Sequence, residues 1–176
     1  DVAKGAALMT GTKVSYRTVS AYADLLSIPA MEKVMMETRQ EAEKPEYTEE
    51  DYAYAAQFAA DENSPSIDTD ILPADQTINL GSTDVGDVSW QVPTGLIGVT
   101  TEAAGCALHT WQIVAQGKSP LAHKGMHYAA RILFAAAKKL YESPERCALI
   151  QDDYQNVIGH RTYQSMLPDS VKPGDF

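Results

Sequence analysis

The sequence predicts an α/β fold, because helices with apolar residues at three- and four-residue spacing alternate with a few short β-branched runs. The run Lys13 to Ala23 places Val14, Tyr16 and Thr18 on one face and Ser15, Arg17 and Val19 on the other, which predicts a strand with one wet face. Leu96 to Thr100 is a compact apolar segment bounded by Gly95 and the Glu102 to Gly105 loop, and predicts a second strand. Two strands make a poor sheet, so the layer is expected to be completed by strands that this chain does not supply.

Each helix carries its own boundary signals. Residues 2 to 10 are small and apolar, and Gly11 is placed to end them with a left-handed cap. Ser27, Ile28 and Pro29 open a helix to about Ala42, since serine caps free amides and proline tolerates the first turn. The run Glu41 to Pro45 breaks it. Thr48 and Asp51 form a weaker version of the capping box, ahead of a helix from Glu49 to Asp61 that buries Tyr52, Ala55, Ala56 and Ala59. Residues 63 to 76 read as a long loop with proline breaks, followed by a short apolar run from Ile78 to Leu80. The turn Gly81 to Asp87 leads to Val88, Ser89 and Trp90, where a short helical turn is expected. The longest helix starts at Ser119-Pro120 and runs to about Glu142, with Leu121, Gly125, Tyr128, Ala129, Ile132, Leu133, Ala136 and Leu140 along one core-facing line. Ser143-Pro144 ends it and starts a last helix to Val157 or Ile158. The tail from His160 to Phe176 reads as surface coil, and no internal repeat is visible.

Composition narrows the functional classes. The 176 residues are long enough to bury roughly two-thirds of the unfolded surface. A formal net charge of -10 repels phosphate backbones and anionic headgroups, which argues against nucleic acid and membrane surfaces as partners. No apolar run reaches the roughly 18 residues of a membrane span, and the first residues lack the order of a secretory signal, so a cytoplasmic setting is expected. Cys106 and Cys147 are too few for a disulfide framework and read as packing residues. The chain starts at Asp1 in what reads as the tail of a helix, which leads to the expectation of a longer parent protein.

The histidines at 109, 123, 127 and 160 are the first candidates for proton transfer or metal ligation. His123 and His127 share a helical face at the spacing of a zinc pair, but Lys124 stands where the zinc-protease pattern has glutamate, and a surface role outweighs a metal role. His109 follows a strand and a small-residue loop, Ala103 to Cys106, a position where α/β proteins present ligands. Cys106 is a weak candidate for a second ligand. Asp84 and Asp87 sit in a glycine-containing turn, where aspartate most often bonds its own backbone; the functional alternative sets that loop beside a substrate carboxylate or a metal. Phosphate-cradling loops, serine elbows and paired-cysteine knuckles are not found.

Three stretches, GAALMTGT (5 to 12), GSTDVGDVSWQVPT (81 to 94) and LHTWQIVAQGKSPLAHKGM (108 to 126), resemble, in order, the C-terminal third of the aminobenzoyl-glutamate utilisation protein B group. The resemblance covers nearly the whole chain and is weakest from Ala30 to Asp75 and in the last twenty residues. It implies a zinc-dependent carboxypeptidase and aminoacylase scaffold, in which residues 1 to 28 are the last helix and strand of an inserted α+β lid or dimerisation domain. Residues 29 to 176 would then be the second half of an α/β catalytic domain. The implied activity is amide hydrolysis of p-aminobenzoyl-glutamate with two divalent metal ions, zinc or manganese, in a parent that is a homodimer through its lid. His109 matches the last metal ligand, and Gly81, Ser82, Thr83, Asp84 and Gly105 match residues bordering the substrate. The other ligands and the general-base glutamate lie in upstream motifs with no counterpart here, so the isolated chain is expected to bind metal poorly and to be inactive. Two alternatives stay open: another N-acyl amino acid or dipeptide substrate on the same scaffold, and a binding or regulatory module that uses an acidic helix such as Glu32 to Glu43.

Overall fold

The structure is a computed structural model that describes residues 1–59, 65–71, 81–172 and 174. Among these, seven helices and no strand are present: α1 (Val2–Thr10), α2 (Pro29–Glu41), α3 (Glu49–Ala56), α4 (Val85–Ser89), α5 (Trp111–Gln116), α6 (Pro120–Tyr141) and α7 (Pro144–Ile158). The expected α/β class is therefore overturned. Residues 13 to 23 and 96 to 100 have strand-like composition but form no backbone ladder among the described residues, and a strand exists only as a paired element. Two of the amides near the end of the first segment bond instead to side chains, Ala23 to Asp87 and Leu26 to Ser89.

The chain divides into two compact units. Unit 1 comprises Asp1–Leu26, Leu80–Val92 and His160–Phe176. In it, α1 ends as its sequence dictates, with Gly11 at φ 66° and the Thr12 amide donating to the Ala7 carbonyl at 2.9 Å. No residue of α1 is buried. The short helix α4 begins at Val85, three residues earlier than the expected turn, and the described part of the tail is irregular, as the prolines imply.

Unit 2 comprises Ser27–Asn79 and Pro93–Gly159. Here α2, α6 and α7 pack on one another and α3 packs on α6. Ser119 and Ser143 cap α6 and α7, accepting from the amides of Ala122 at 3.1 Å and Arg146 at 3.3 Å, with proline at the next position in both. Ser27 does not cap α2. Its N-cap is Ile28, and the Ala30 amide donates to the Asp153 carboxylate of α7 at 2.8 Å, so a tertiary contact supplies what a local one was expected to. Along α6, Leu121, Gly125, Tyr128, Ile132 and Ala136 are buried as the spacing requires, whereas Leu133 is exposed. Helix α3 stops at Ala56 and buries Asp51 and Ala55; Tyr52 and Ala56 are exposed and Ala59 is half-buried, because so short a helix turns only a narrow stripe inward. The apolar run Ile78 to Leu80 and much of the expected 63–76 loop lie outside the described residues.

Two features bind α3 to α6. Ala55, Ile67, Ala103 and Leu121 form a buried apolar cluster with Tyr47 and Phe58 against it. Beside it, Thr48 and Asp51 close a full capping box: the Asp51 amide donates to Thr48 Oγ1 at 3.3 Å and the Thr48 amide to Asp51 Oδ2 at 2.8 Å. The same carboxylate pairs with Lys124 of α6, whose ammonium also lies 5.8 Å from the centre of the Tyr47 ring. Burial alone would raise the Asp51 pKa, but the Lys124 and Thr48 hydrogen bonds overcome it and hold it below the usual carboxylate value.

A carboxylate with a depressed folded pKa stabilises above its unfolded pKa and loses that contribution as pH falls through the folded value. Unit 2 should therefore lose stability on acidification below about pH 4, the ordinary aspartate range. In Asp51→Asn the acid loss should shrink, leaving what Glu37 contributes, whose pKa is lowered by its hydrogen bond to Arg146. The variant should cost roughly 2 kcal/mol at neutral pH, below the usual loss for a broken buried pair because Lys124 is partly solvated. Urea unfolding across pH 3 to 7 measures both, and an unchanged acid limb in the variant would remove the assignment.

Candidate functional site

The stretch around His109 is built on a buried amide. Gln116, the last residue of α5 and fully buried, accepts the Ala103 amide on Oε1 at 2.7 Å and donates from Nε2 to the Gln112 carbonyl at 3.1 Å and to Cys106 Sγ at 3.5 Å. The loop is tied on its other side by the Ala104 amide, which donates to the Ser66 carbonyl at 2.9 Å. Gly105 then takes φ 70° and His109 φ 59°, so two left-handed residues enclose the Cys106 to Leu108 turn. Among the described residues, His109 is the one non-glycine with positive φ. Such a backbone costs energy for any residue with a Cβ, and histidine tolerates it better than most. Thr110 Oγ1 donates to the Ala107 carbonyl at 2.7 Å, and α5 starts at Trp111, whose ring meets Phe58 edge-on at 6.3 Å.

The His109 imidazole is exposed, as are Leu108 and Trp111 beside it. An exposed imidazole can exchange a proton or offer a nitrogen lone pair to a metal. Cys106 is half-buried, and its sulfur takes the Gln116 hydrogen bond. His123 and His127 are exposed on α6, and His160 is exposed in unit 1. Among the described residues, no three His, Cys, Asp or Glu side chains converge to hold a metal ion. The described residues therefore do not fit a dinuclear centre on their own.

The Gly81 to Asp84 turn belongs to unit 1. Gly81, Ser82 and Asp84 are exposed and Thr83 is half-buried, with its hydroxyl accepting the Val85 amide at 3.2 Å. Asp84 is the N-cap of α4 and makes no side-chain capping bond. The rest of that stretch is occupied with structure. Asp87 Oδ1 accepts from the Ala23 amide at 3.1 Å and the Tyr163 hydroxyl at 2.9 Å, and the hydrogen bond to Asp87 raises the Tyr163 pKa. Ser89 accepts the Leu26 amide at 2.9 Å, and Trp90 Nε1 donates to the Asp24 carbonyl at 3.0 Å. Arg161 lies 4.8 Å over the Trp90 ring. A Cβ on Gly86 would fall 1.9 Å from the Ala23 carbonyl oxygen, so this contact requires glycine.

Sequence reasoning missed Gln116, although a glutamine inside the apolar run Ile113 to Gly117 is a usable signal for a buried polar anchor. It also missed α5 itself, six residues with too little length for a periodic pattern.

In Escherichia coli (strain K12), one of the subunits of p-aminobenzoyl-glutamate hydrolase is 30% identical to this chain over 201 residues, an alignment that takes in 98% of the chain and 42% of that protein. The resemblance drawn from the three stretches is thus shown, and the chain spans less than half the length of the curated relative it matches. No family model matches the chain, and no solved structure matches it.

Substitutions at two positions test the local reading. Gln116→Leu should destabilise unit 2 by about 2 kcal/mol, because the Ala103 amide is left buried without an acceptor. A thermal melt with no loss would show that this amide finds another partner. His109→Gly should stabilise the chain by roughly 1 kcal/mol through relief of the left-handed strain, whereas His109→Ala should not. Equal melting temperatures for the two variants would contradict the strained backbone.

Proposed function

We propose that the chain carries part of a metal-dependent amidohydrolase that cleaves the amide of an N-acyl amino acid, with p-aminobenzoyl-glutamate the favoured substrate. The observation that supports this most directly is the 30% identity across 98% of the chain to a protein named for that hydrolysis. His109 is assigned as a metal ligand for zinc or manganese, with the remaining ligands outside the described residues. Gly81 to Asp84 and Gly105 are assigned to the substrate border. The strained backbone and exposed ring of His109 support its assignment, since strain of this kind collects at functional sites. In the same reading, residues 1 to 28 are the end of a lid or dimerisation domain, residues 29 to 176 belong to the catalytic part, and assembly is as a homodimer. The relative is itself named as a subunit of a hydrolase. No helix among the described residues is long and apolar enough to cross a membrane.

The protein's own work in this reading is positional. Gln116 fixes the 103–106 loop, and the turn that follows holds the imidazole at a set point of the backbone. Hydrolysis of p-aminobenzoyl-glutamate by the natural protein carrying these residues should be abolished by a chelator and restored by zinc or manganese. His109→Ala should lower kcat/KM by about 100-fold or more, the scale on which lost metal-site groups are felt, while the melting temperature stays near wild type. Full activity in that variant would remove His109 from the site, and activity untouched by chelator would remove the metal.

A further inference from the structure

The geometry points to a second binding site, independent of the hydrolase reading: a pocket in unit 2 that takes a small carboxylate between Arg39 of α2 and Lys44. The pocket encloses about 40 Å³ and is walled by these two cations, the 68–71 segment, Val99 and Thr100, with Tyr47 and Tyr128 at its sides. At roughly 10–15 Å³ of free volume per water, this holds about three waters or the head of a carboxylate.

Arg39 Nε is buried and has no hydrogen-bond partner. A buried charged donor without an acceptor is costly, and such a group in a folded protein calls for an absent ligand or solvent molecule. The other contacts of the two cations are weak. Arg39 Nη2 reaches the Asp70 carbonyl at 3.5 Å and Lys44 Nζ the Thr69 carbonyl at 3.4 Å, both at the outer limit of a hydrogen bond. Among the described residues, carboxylates pair with Lys124, Arg131, Lys138, Lys139 and Arg146, but none lies within ion-pair distance of Arg39 or Lys44. In a chain with a net charge of -10, two cations lining one pocket with no carboxylate in ion-pair distance among the described residues leave positive charge that an anion can meet.

Three acceptors at the wall are engaged elsewhere. Asp68 Oδ1 accepts the Asp70 amide at 2.9 Å, its carbonyl accepts the Thr100 hydroxyl at 2.6 Å, and the Arg39 carbonyl accepts the Tyr128 hydroxyl at 3.1 Å. A guanidinium carries paired N–H groups, a fork that matches the planar two-oxygen edge of a carboxylate. Pro45, Ile71 and Val99 give the pocket apolar wall for a short carbon chain. Asp68 and Asp70 in the lining disfavour a doubly charged anion, which selects a monocarboxylate over phosphate.

Titration of the whole chain with acetate and propionate at constant ionic strength, followed by amide NMR, tests this. Saturable shifts should centre on Thr69, Asp70 and Ile71, with propionate binding at least as well as acetate and phosphate more weakly. Affinity should fall roughly tenfold, one hydrogen-bonded charge contact, in Arg39→Gln and also clearly in Lys44→Gln, a substitution at an exposed residue that leaves the fold intact if the first variant fails to fold. Shifts that never saturate mean a pocket filled by water only and overturn the proposal. Equal binding of phosphate, or wild-type affinity in Lys44→Gln, overturns it as well.

Discussion

Unit 2 depends on how closely α6 approaches the segment that ends at Thr101. At Gly125 a Cβ would stand 2.1 Å from the Thr100 carbonyl oxygen, a separation that backbone cannot accommodate, so only glycine allows the contact. One residue earlier, Lys124 pairs with the buried Asp51, and one turn earlier Leu121 enters the apolar cluster with Ala55, Ile67 and Ala103. Steric fit, charge pairing and apolar burial thus act within the first turns of a single helix. The rest of α6 carries α2 and α7, with Tyr128 holding the α2 carbonyl of Arg39 and Lys139 pairing with Glu41.

What the sequence made legible was whatever is decided within a few residues. Ser119-Pro120, Ser143-Pro144 and Gly11 act through neighbouring amides and carbonyls, and their helices begin or end where those residues stand. Strand formation is decided elsewhere in the chain. Val14, Tyr16 and Val19 alternate as strand residues do, yet no ladder forms there, and periodicity does not reveal whether a partner is present. Ser27 failed as a cap for the same kind of reason, because Asp153, more than a hundred residues away, binds the helix start.

The candidate site divides along similar lines. His109 stood out in the sequence by its neighbours, but its left-handed backbone and the anchoring of its loop by Gln116 depend on folded geometry. The stretch from Gly81 to Trp90 is distinctive in composition, and much of that distinctiveness belongs to structure. Gly86 admits the Ala23 carbonyl, Asp87 and Ser89 take amides of the 23–26 segment, and Trp90 donates to Asp24. A memorable string of residues can therefore record a packing requirement as well as a chemical one.

The dihedral at position 109 also narrows what the protein can become. Few side chains accept that handedness, chiefly asparagine and aspartate besides histidine, and β-branched residues are turned away. A lineage drifting at this codon thus has a small vocabulary, and two of its words still offer an oxygen to whatever approaches from solvent.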